Sequence, residues 1–304
     1  MQKCSVLVST CDKYKDAWDP FFFFFTKFWR DCPYDVFINT ESESYSNDRI
    51  NVNVINYPKK ASWSQRLKHA LKEIKTEYVI FLLEDFFFLD NVNQDAINEC
   101  VKLMDTHKDI SVIDFESVGS LVHGEKYKGI SGFCKRHIKS MYFLNCQASI
   151  WRRKDLMRFL SPHESPWQFE IFGSERVKLY KKTFLLQEKN CCNVFESNVN
   201  WDSGYGIHGG KWLRSNVEFF KENGIEVDFD RMGFYEKTHN ENVCPPPKVT
   251  LKYRIKYLFL SGGYIAPRLS VFEQVKLFFK SPRESLGLTK YKLKKCLNKN
   301  IFDN

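Results

Sequence analysis

The segment that decides the fold is TEYVIFLLEDFFF, residues 76–88. Its centre, Tyr78–Leu83, is continuously apolar, which is typical of a central strand covered on both faces of a sheet. Two adjacent acids, Glu84 and Asp85, follow as the apolar run ends. A strand that delivers two carboxylates in this way can present ligands for a divalent metal that bridges a diphosphate. The segment therefore predicts a buried strand and a candidate site at its carboxyl end.

Alternating strand and helix patterns flank this segment. Apolar or alternating runs predict further strands at 4–10, 34–39, 50–55, 110–115 and 141–151. One-sided apolar patterns predict helices at 18–29, 62–75, 91–107 and 154–160, the second with Ser62 or Ser64 as its N-cap. This alternation predicts an α/β fold with a mostly parallel, doubly wound sheet flanked by helices. Ligands of such sheets bind outside the carboxyl ends of the strands.

Length and composition place the chain among globular proteins. It has 304 residues, of which 43% are hydrophobic and 27% are charged. The run Pro245-Pro246-Pro247 cannot continue a helix or a central strand. We therefore expect a main domain at 1–247, with halves at 1–115 and 116–247, and a tail at 248–304.

The tail combines basic and aromatic residues. The formal net charge of the chain is +9, and Lys and Arg are concentrated in the tail, where they alternate with aromatic side chains. A helical tail of this composition suits the interface of an anionic membrane. The alternative is a pair of helices that packs on the main domain with its lysines in water.

The sequence contains neither a targeting pattern nor a cysteine-based metal-binding pattern. The ten cysteines show neither C-x-x-C pairs nor zinc-type spacing, so we interpret them as reduced thiols. We see no signal-peptide pattern and no run near the ~20 apolar residues that span a bilayer. We expect a cytoplasmic protein, peripheral at the inner membrane. Nucleic acid is not an expected partner, because no nucleic-acid-binding motif accompanies the basic charge.

The acidic segment resembles the acidic motif region of GT-A glycosyltransferases. The resemblance also includes the amino-terminal strand with its end at residues 10–12, and as an order of elements it covers roughly residues 4–215. It implies a GT-A (Rossmann-like) fold in which the first half binds a nucleotide-sugar donor and the second half binds the acceptor. Members usually carry D-x-D, and Glu84-Asp85-Phe86 departs from that pattern. On this resemblance Asp85 binds Mg²⁺ or Mn²⁺ with support from Glu84, and a metal-independent variant stays open.

The same resemblance assigns the donor nucleotide to the ends of the first two strands. Backbone groups and a carboxylate there can read the edge of a uracil. Arg66, on the helix before the acidic strand, carries a planar guanidinium that suits phosphate oxygens. The strand-end residues assigned to the donor are Thr10, Cys11, Asp12, Asn39 and Glu41.

An inverting transfer needs a general base, because the attacking hydroxyl must lose its proton. Residues 164–175 offer three glutamates beside aromatic rings and resemble the acceptor-side acidic segment of inverting GT-A enzymes. We choose Glu170 as the base, since Trp167 and Phe169 can supply an apolar wall that raises the pKa of a carboxylate. Glu175 is the alternative.

A glycine-rich stretch, WDSGYGIHGGKW, occupies residues 201–212. Glycines allow a loop to approach a ligand closely. Because a late histidine completes the metal site or touches the diphosphate in several GT-A enzymes, the resemblance assigns this role to His208. Lys211 is a candidate for neutralising phosphate.

These expectations describe an inverting glycosyltransferase of the hexosyl or N-acetylhexosaminyl type. It would move a sugar from a UDP-sugar to a glycan or lipid-diphosphate-linked acceptor during synthesis of a bacterial surface polysaccharide, such as a capsule or the O-antigen of lipopolysaccharide. The alternative is a non-catalytic GT-A-like scaffold of a membrane-associated glycan-assembly complex, which the departure from D-x-D favours. A nucleotidyltransferase would share the sheet, but residues 9–12 lack the glycine-rich phosphate loop usual in that class.

Overall fold

A mixed β-sheet forms the centre of the protein. The computed structural model describes residues 2–115, 123–137, 140, 142–177, 180–188, 193–198 and 205–236. Within them the sheet strands are β1 (Cys4–Ser9), β2 (Asp35–Thr40), β3 (Val52–Asn56), β4 (Tyr78–Leu83), β5 (Ile110–Asp114), β6 (His123–Lys126), β7 (Phe133–Arg136), β8 (Ser149–Arg152) and β9 (Thr183–Gln187). A separate antiparallel hairpin consists of β10 (Ile207–His208) and β11 (Lys211–Trp212).

The order of the strands brings the chain's first four strands together. The sheet order is β3-β2-β1-β4-β8-β5-β9-β7-β6, and the pairs among β3, β2, β1 and β4 are all parallel. Strand β8 lies antiparallel between β4 and β5, and β9 is parallel to β5. The carboxyl ends of β1, β2 and β4 therefore lie at one edge, as the sequence predicted.

Helices cover both faces of the sheet. They are α1 (Trp18–Phe28), α2 (Trp63–Glu73), α3 (Gln94–Thr106), α4 (Arg153–Phe159), α5 (Pro166–Gln168), α6 (Ser174–Val177) and α7 (Ser215–Glu222). A 3₁₀ helix, Asp12–Ala17, leads into α1, and a π-helical turn, Phe169–Gly173, joins α5 to α6. None of the helices in the described part of the chain is long and apolar enough to cross a membrane.

The core consists of two apolar layers separated by the sheet. Ile80 and Leu82 of β4 pack in the layer that contains α1 and α3, whereas Val79 and Phe81 pack in the layer that contains α2 and α4. Because alternate residues of a strand point to opposite faces, this explains why the strand is apolar throughout. The phenylalanine run of α1 places four of its five rings in the core.

One predicted strand is much shorter than expected. The strand expected at 141–151 contains only Ser149–Arg152, and residues 142–148 form turns and bends. Side chains bind the backbone there: Arg136 donates to the Phe143 carbonyl, and the Leu144 N–H donates to Ser174 Oγ at 2.7 Å. Since these polar backbone groups are bound by side chains, the segment needs no ladder of strand hydrogen bonds.

Several predictions concern residues outside the described ranges. They include the proline run, four of the ten cysteines, residues 201–204 and the whole tail at 248–304. The division at 247, the tail's helical character and its membrane contact therefore stay predictions. The six described cysteines are all free thiols.

Candidate active site

The two acids lie buried at the carboxyl end of β4. Glu84 is 7% exposed and Asp85 is 8% exposed, so neither side chain faces bulk solvent. Since Ser9 pairs with Leu83, the residue after β1, Thr10, comes beside the acids. Its hydroxyl is a hydrogen-bond partner of Glu84 and accepts the indole N–H of Trp18 at 3.0 Å.

Asp85 is held by the segment that leads into β10. The Ile207 N–H donates to Asp85 Oδ2 at 3.1 Å, and the Gly206 N–H donates to the Asp85 main-chain carbonyl at 3.2 Å. Gly206 and Ile207 of the glycine-rich stretch therefore bind Asp85, which lies 122 positions before Ile207 along the chain.

Burial shapes the electrostatics of this pair. It raises the pKa of Glu84 well above its ordinary value, and the neighbouring Asp85 charge raises it further. Burial also raises the pKa of Asp85 to about 7, although the hydrogen bond from the Ile207 N–H acts to lower this pKa. Among the described residues, no lysine or arginine forms an ion pair with either acid. A cation bound by the two carboxylates would favour their ionised forms and lower both pKa values.

The acid pair fits a hard divalent cation. Carboxylate oxygens suit Mg²⁺ and Mn²⁺, and Mg²⁺ is commonly held by one or two carboxylates together with substrate phosphates and water. Within the described ranges, no group of three His, Cys, Asp or Glu side chains is arranged to bind a metal.

A second polar group lies at the ends of β1 and β2. Arg66 Nη1 lies 3.0 Å from Glu41 Oε1, and both side chains are about 10% exposed. The Asp12 N–H donates to Glu41 Oε2 at 3.3 Å. The Cys11 thiol interacts electrostatically with both groups. Burial raises its pKa to about 11, and the charges of Glu84 and, to a smaller extent, Glu41 contribute to this rise. The structure therefore brings Cys11, Glu41, Arg66 and Glu84 together.

Buried polar atoms without partners occur in the same region. Asn39, the last but one residue of β2, is 1% exposed, and its amide nitrogen and oxygen both lack a hydrogen bond. Arg66 Nε is also buried and unbonded. Unsatisfied buried polar groups are costly, so a ligand with donors and acceptors of its own would relieve this region.

Asp12 has a different environment from the other predicted donor contacts. Its carboxylate accepts the Ser42 hydroxyl at 2.6 Å and the backbone N–H groups of Glu41 and Ser42 at 2.9 and 3.1 Å. Burial alone would raise its pKa, but these hydrogen bonds outweigh that effect and the pKa is lowered. Asp12 thus fixes the loop after β2 against the loop after β1.

Two residues that the sequence analysis did not select lie at this edge. Burial, followed by the charges of Glu84, Cys11 and Asp85, raises the pKa of Tyr14 to about 12. Its hydroxyl and the ammonium of Lys13 both lie against Gly210, whose φ of +81° favours glycine. Neither residue belongs to a motif, and only their position directly after β1 offered a signal.

Glu170 lies on the π-helical turn at the same end of the sheet. Its Oε1 accepts the Cys146 N–H at 2.9 Å, and burial raises its pKa to about 7. The preceding Phe169 is buried against the Trp63 ring, whose indole N–H donates to Ser9 Oγ at 3.2 Å at the end of β1. This contact anchors the turn next to the first strand.

The predicted apolar wall around Glu170 is only partly as expected. Phe169 is 1% exposed, but Trp167 is 66% exposed and presents its indole to solvent. The backbone of Glu175 lies in α6, and its side chain is outside the described part of the structure.

A chain of contacts joins the Glu170 side of the site to the acidic segment. Gln147 follows Cys146, and the Tyr205 hydroxyl donates to Gln147 Oε1. The Tyr205 ring in turn packs on Phe86 with centroids 4.0 Å apart.

His208 and Lys211 pair across the β10–β11 hairpin. Both are exposed, and the His208 ring packs on Tyr235 with centroids 4.3 Å apart. The hairpin begins with Ile207, whose N–H binds Asp85. The two side chains therefore lie on the hairpin next to Asp85, and the metal and phosphate roles assigned to them stay predictions.

The expected fold class is confirmed by the sheet and its flanking helices. The parallel strands β3, β2, β1 and β4 lie side by side, and two buried acids directly follow the end of β4. The fold is a Rossmann-like α/β fold. No family model and no curated protein matches the chain.

Several solved structures resemble this chain. S. aureus TarS is 13% identical, with 95% of this chain and 54% of that chain covered and a TM-score of 0.47. Residues 1–349 of S. aureus TarS in complex with UDP are 15% identical over 62% of this chain and 59% of that chain, with a TM-score of 0.43. A UDP-glucose pyrophosphorylase complexed with UDP-glucose is 9% identical over 65% and 93% of the two chains, with a TM-score of 0.44. The chain thus spans less than two thirds of the TarS chains.

Proposed function

We propose that this protein is a glycosyltransferase that moves a sugar from a nucleotide-sugar to a glycan or lipid-linked acceptor. The buried acid pair at the end of β4 carries this proposal. Glu84 and Asp85 are kept from solvent and have no ion-pair partner among the described residues. A diphosphate donor accompanied by a cation matches both the charge and the position of such a pair.

The donor's nucleoside would lie at the ends of β1 and β2. The unbonded amide of Asn39 offers a donor and an acceptor, as the edge of a base requires. Arg66 pairs with Glu41, two positions after Asn39, and its unbonded Nε is a donor for a phosphate or base oxygen. A UDP-sugar is the donor we favour, since uracil presents both donors and acceptors on one edge.

The site's own residues would bind and stabilise the leaving diphosphate. Glu84 and Asp85 would hold Mg²⁺ or Mn²⁺, which when bound supplies positive charge to the diphosphate. Lys13 adds an ammonium at the mouth of the site, next to Gly210. Both acids are buried, and Gly206 and Ile207 bind Asp85. Low access of water strengthens electrostatic interactions there.

Glu170 would act as the general base of an inverting transfer. Its pKa of about 7 leaves a substantial fraction ionised at neutral pH while keeping the carboxylate basic enough to accept a proton. The hydrogen bond from the Cys146 N–H fixes its orientation. The exposed Trp167 ring, three positions earlier on the same helical segment, offers a stacking surface to an acceptor sugar.

The acceptor and the cellular setting are further parts of the proposal. A hexose or N-acetylhexosamine would be transferred during synthesis of a capsule or lipopolysaccharide, with the protein peripheral at the inner face of the membrane. The basic, aromatic composition of residues 248–304 supports the membrane part.

The test is turnover of nucleotide-sugars by the full chain. UDP-, GDP-, CMP- and dTDP-sugars are incubated with and without Mn²⁺, and released nucleotide is measured. We expect release from one donor class, and Asp85→Asn should lower it at least about 100-fold. Asp90→Asn is the matched control, because Asp90 is exposed five positions later in the same segment. No release above background from any donor would favour the non-catalytic scaffold instead.

A further inference from the structure

The buried Asn216 side chain binds the segment that holds Asp85. Asn216 lies on α7 and is 3% exposed. Its Nδ2 donates to the Gly206 carbonyl at 2.6 Å, and the Leu213 N–H donates to the same carbonyl at 3.1 Å. The Gly206 carbonyl is therefore fixed from the side of α7.

Fixing this carbonyl also fixes the N–H of the next residue. The peptide unit between Gly206 and Ile207 is planar and trans, so its C=O and N–H point in opposite directions. With the carbonyl held by Asn216, the Ile207 N–H is aimed at Asp85 Oδ2, 3.1 Å away. The Gly206 N–H donates to the Asp85 carbonyl at 3.2 Å, so Asp85 is held at both its main chain and its side chain.

Glycine at position 206 is a steric requirement of this arrangement. A Cβ added there would lie 2.5 Å from Phe87 Cε2 and 3.3 Å from Asp85 Cβ. The Phe87 ring is fully buried and cannot move away cheaply. Any side chain at 206 would push the peptide away from Asp85.

We propose that Asn216 is a positioning residue that orients the Asp85 carboxylate through the Gly206–Ile207 peptide. The consequence for activity rests on the proposed function, but the orientation itself does not. Without the amide donor, the Gly206 carbonyl keeps only the hydrogen bond from the Leu213 N–H, and the peptide gains freedom to rotate. Asp85 then loses the fixed N–H that orients it.

The first measurement concerns the peptide alone. Hydrogen–deuterium exchange is followed in a peptide that contains Ile207, in the full chain and in Asn216→Ala. We expect exchange at Ile207 to become about five- to ten-fold faster, as loss of one hydrogen bond implies. The control is Asn223→Ala, since Asn223 Nδ2 also donates to a carbonyl of α7, that of Phe219 at 2.8 Å. This control should leave exchange at Ile207 unchanged.

The second measurement concerns the site. Nucleotide release is measured against Mn²⁺ concentration and against donor concentration at a temperature where all variants are folded. Asn216→Ala should lower kcat about ten-fold and raise the Mn²⁺ concentration for half-maximal rate, whereas Asn223→Ala should change neither. Gly206→Ala should show the same pattern as Asn216→Ala, because it displaces the same peptide.

The outcomes separate the two proposals. Unchanged exchange at Ile207 in Asn216→Ala overturns the positioning role, even if the enzyme is active. Faster exchange with kinetics like those of Asn223→Ala also overturns it, because the peptide would then not control Asp85. No turnover by the wild-type chain removes the proposed function, and the exchange measurement still decides whether Asn216 holds the peptide.

Discussion

Replacing Glu170 with glutamine tests the base and its environment together. Gln keeps the acceptor for the Cys146 N–H, which donates at 2.9 Å, and has nearly the same size. The substitution removes only the charge and the proton. Burial raises the pKa of Glu170 from 4.5 to about 7, so the wild-type protein and the variant should respond differently to pH.

The sign of the stability effect follows from proton binding. Between pH 4.5 and 7 the folded state holds the Glu170 proton more tightly than the unfolded state does. The wild-type free energy of unfolding therefore falls as pH rises through this window. At about 1.4 kcal/mol per pKa unit, the ionised carboxylate costs at most about 3 kcal/mol above pH 7. Glu170→Gln should be more stable than wild type by up to that amount at pH 8 and nearly equal to it at pH 4.5.

Urea denaturation at several pH values measures this difference. Glu73→Gln, at an exposed position of α2, is the matched control and should show no such trend. Turnover is measured in parallel: the wild-type rate should rise through about pH 7 as the base ionises, and the variant should lose at least about 100-fold. A variant whose added stability is the same at pH 5 and pH 8 would refute the burial argument. A variant with wild-type turnover would exclude Glu170 as the base.

Three further predictions concern other parts of the molecule. Arg66→Met should lower the free energy of unfolding, measured by urea denaturation, by about 3 kcal/mol, because it leaves Glu41 buried without its cation. The double variant Arg66→Met, Glu41→Leu should recover part of that loss, because it also removes the unpaired carboxylate. Lys13→Ala should weaken UDP binding, measured by calorimetry, about three-fold. The control Lys15→Ala should leave UDP binding unchanged, since Lys15 is exposed and paired with Glu43 at 3.2 Å. Equal effects of the two substitutions would contradict the placement of Lys13. Deleting residues 248–304 should release the protein from anionic vesicles in a sedimentation assay, and undiminished binding would rule out an interfacial tail.

Local patterns predicted the elements that hold the acids. The strand Tyr78–Leu83 was predicted at its observed bounds, because its apolar residues are buried on both faces. Ser62 does cap α2, where its hydroxyl accepts the Gln65 N–H at 3.3 Å. Both features depend on residues within a few positions of one another, which is the range that a sequence pattern covers.

Contacts between distant parts of the chain were not predictable in this way. The role of Asp12 depends on the loop after β2, about 30 positions away, and a pattern around Asp12 carries no trace of it. The strand expected at 141–151 looked continuous because its residues are apolar, but distant side chains bind its backbone instead of a neighbouring strand. Tyr14 and Asn216 were missed for the same reason.

The long separation between Asp85 and the segment that binds it has a consequence for biosynthesis. Strands β1 to β4 leave the ribosome before residues 205–216 are made, so during that interval the Asp85 carboxylate lacks the Ile207 N–H. This hydrogen bond forms when α7 docks and Asn216 binds the Gly206 carbonyl. A nascent chain arrested before residue 205 should therefore contain the parallel strands but lack the hydrogen bond that orients Asp85.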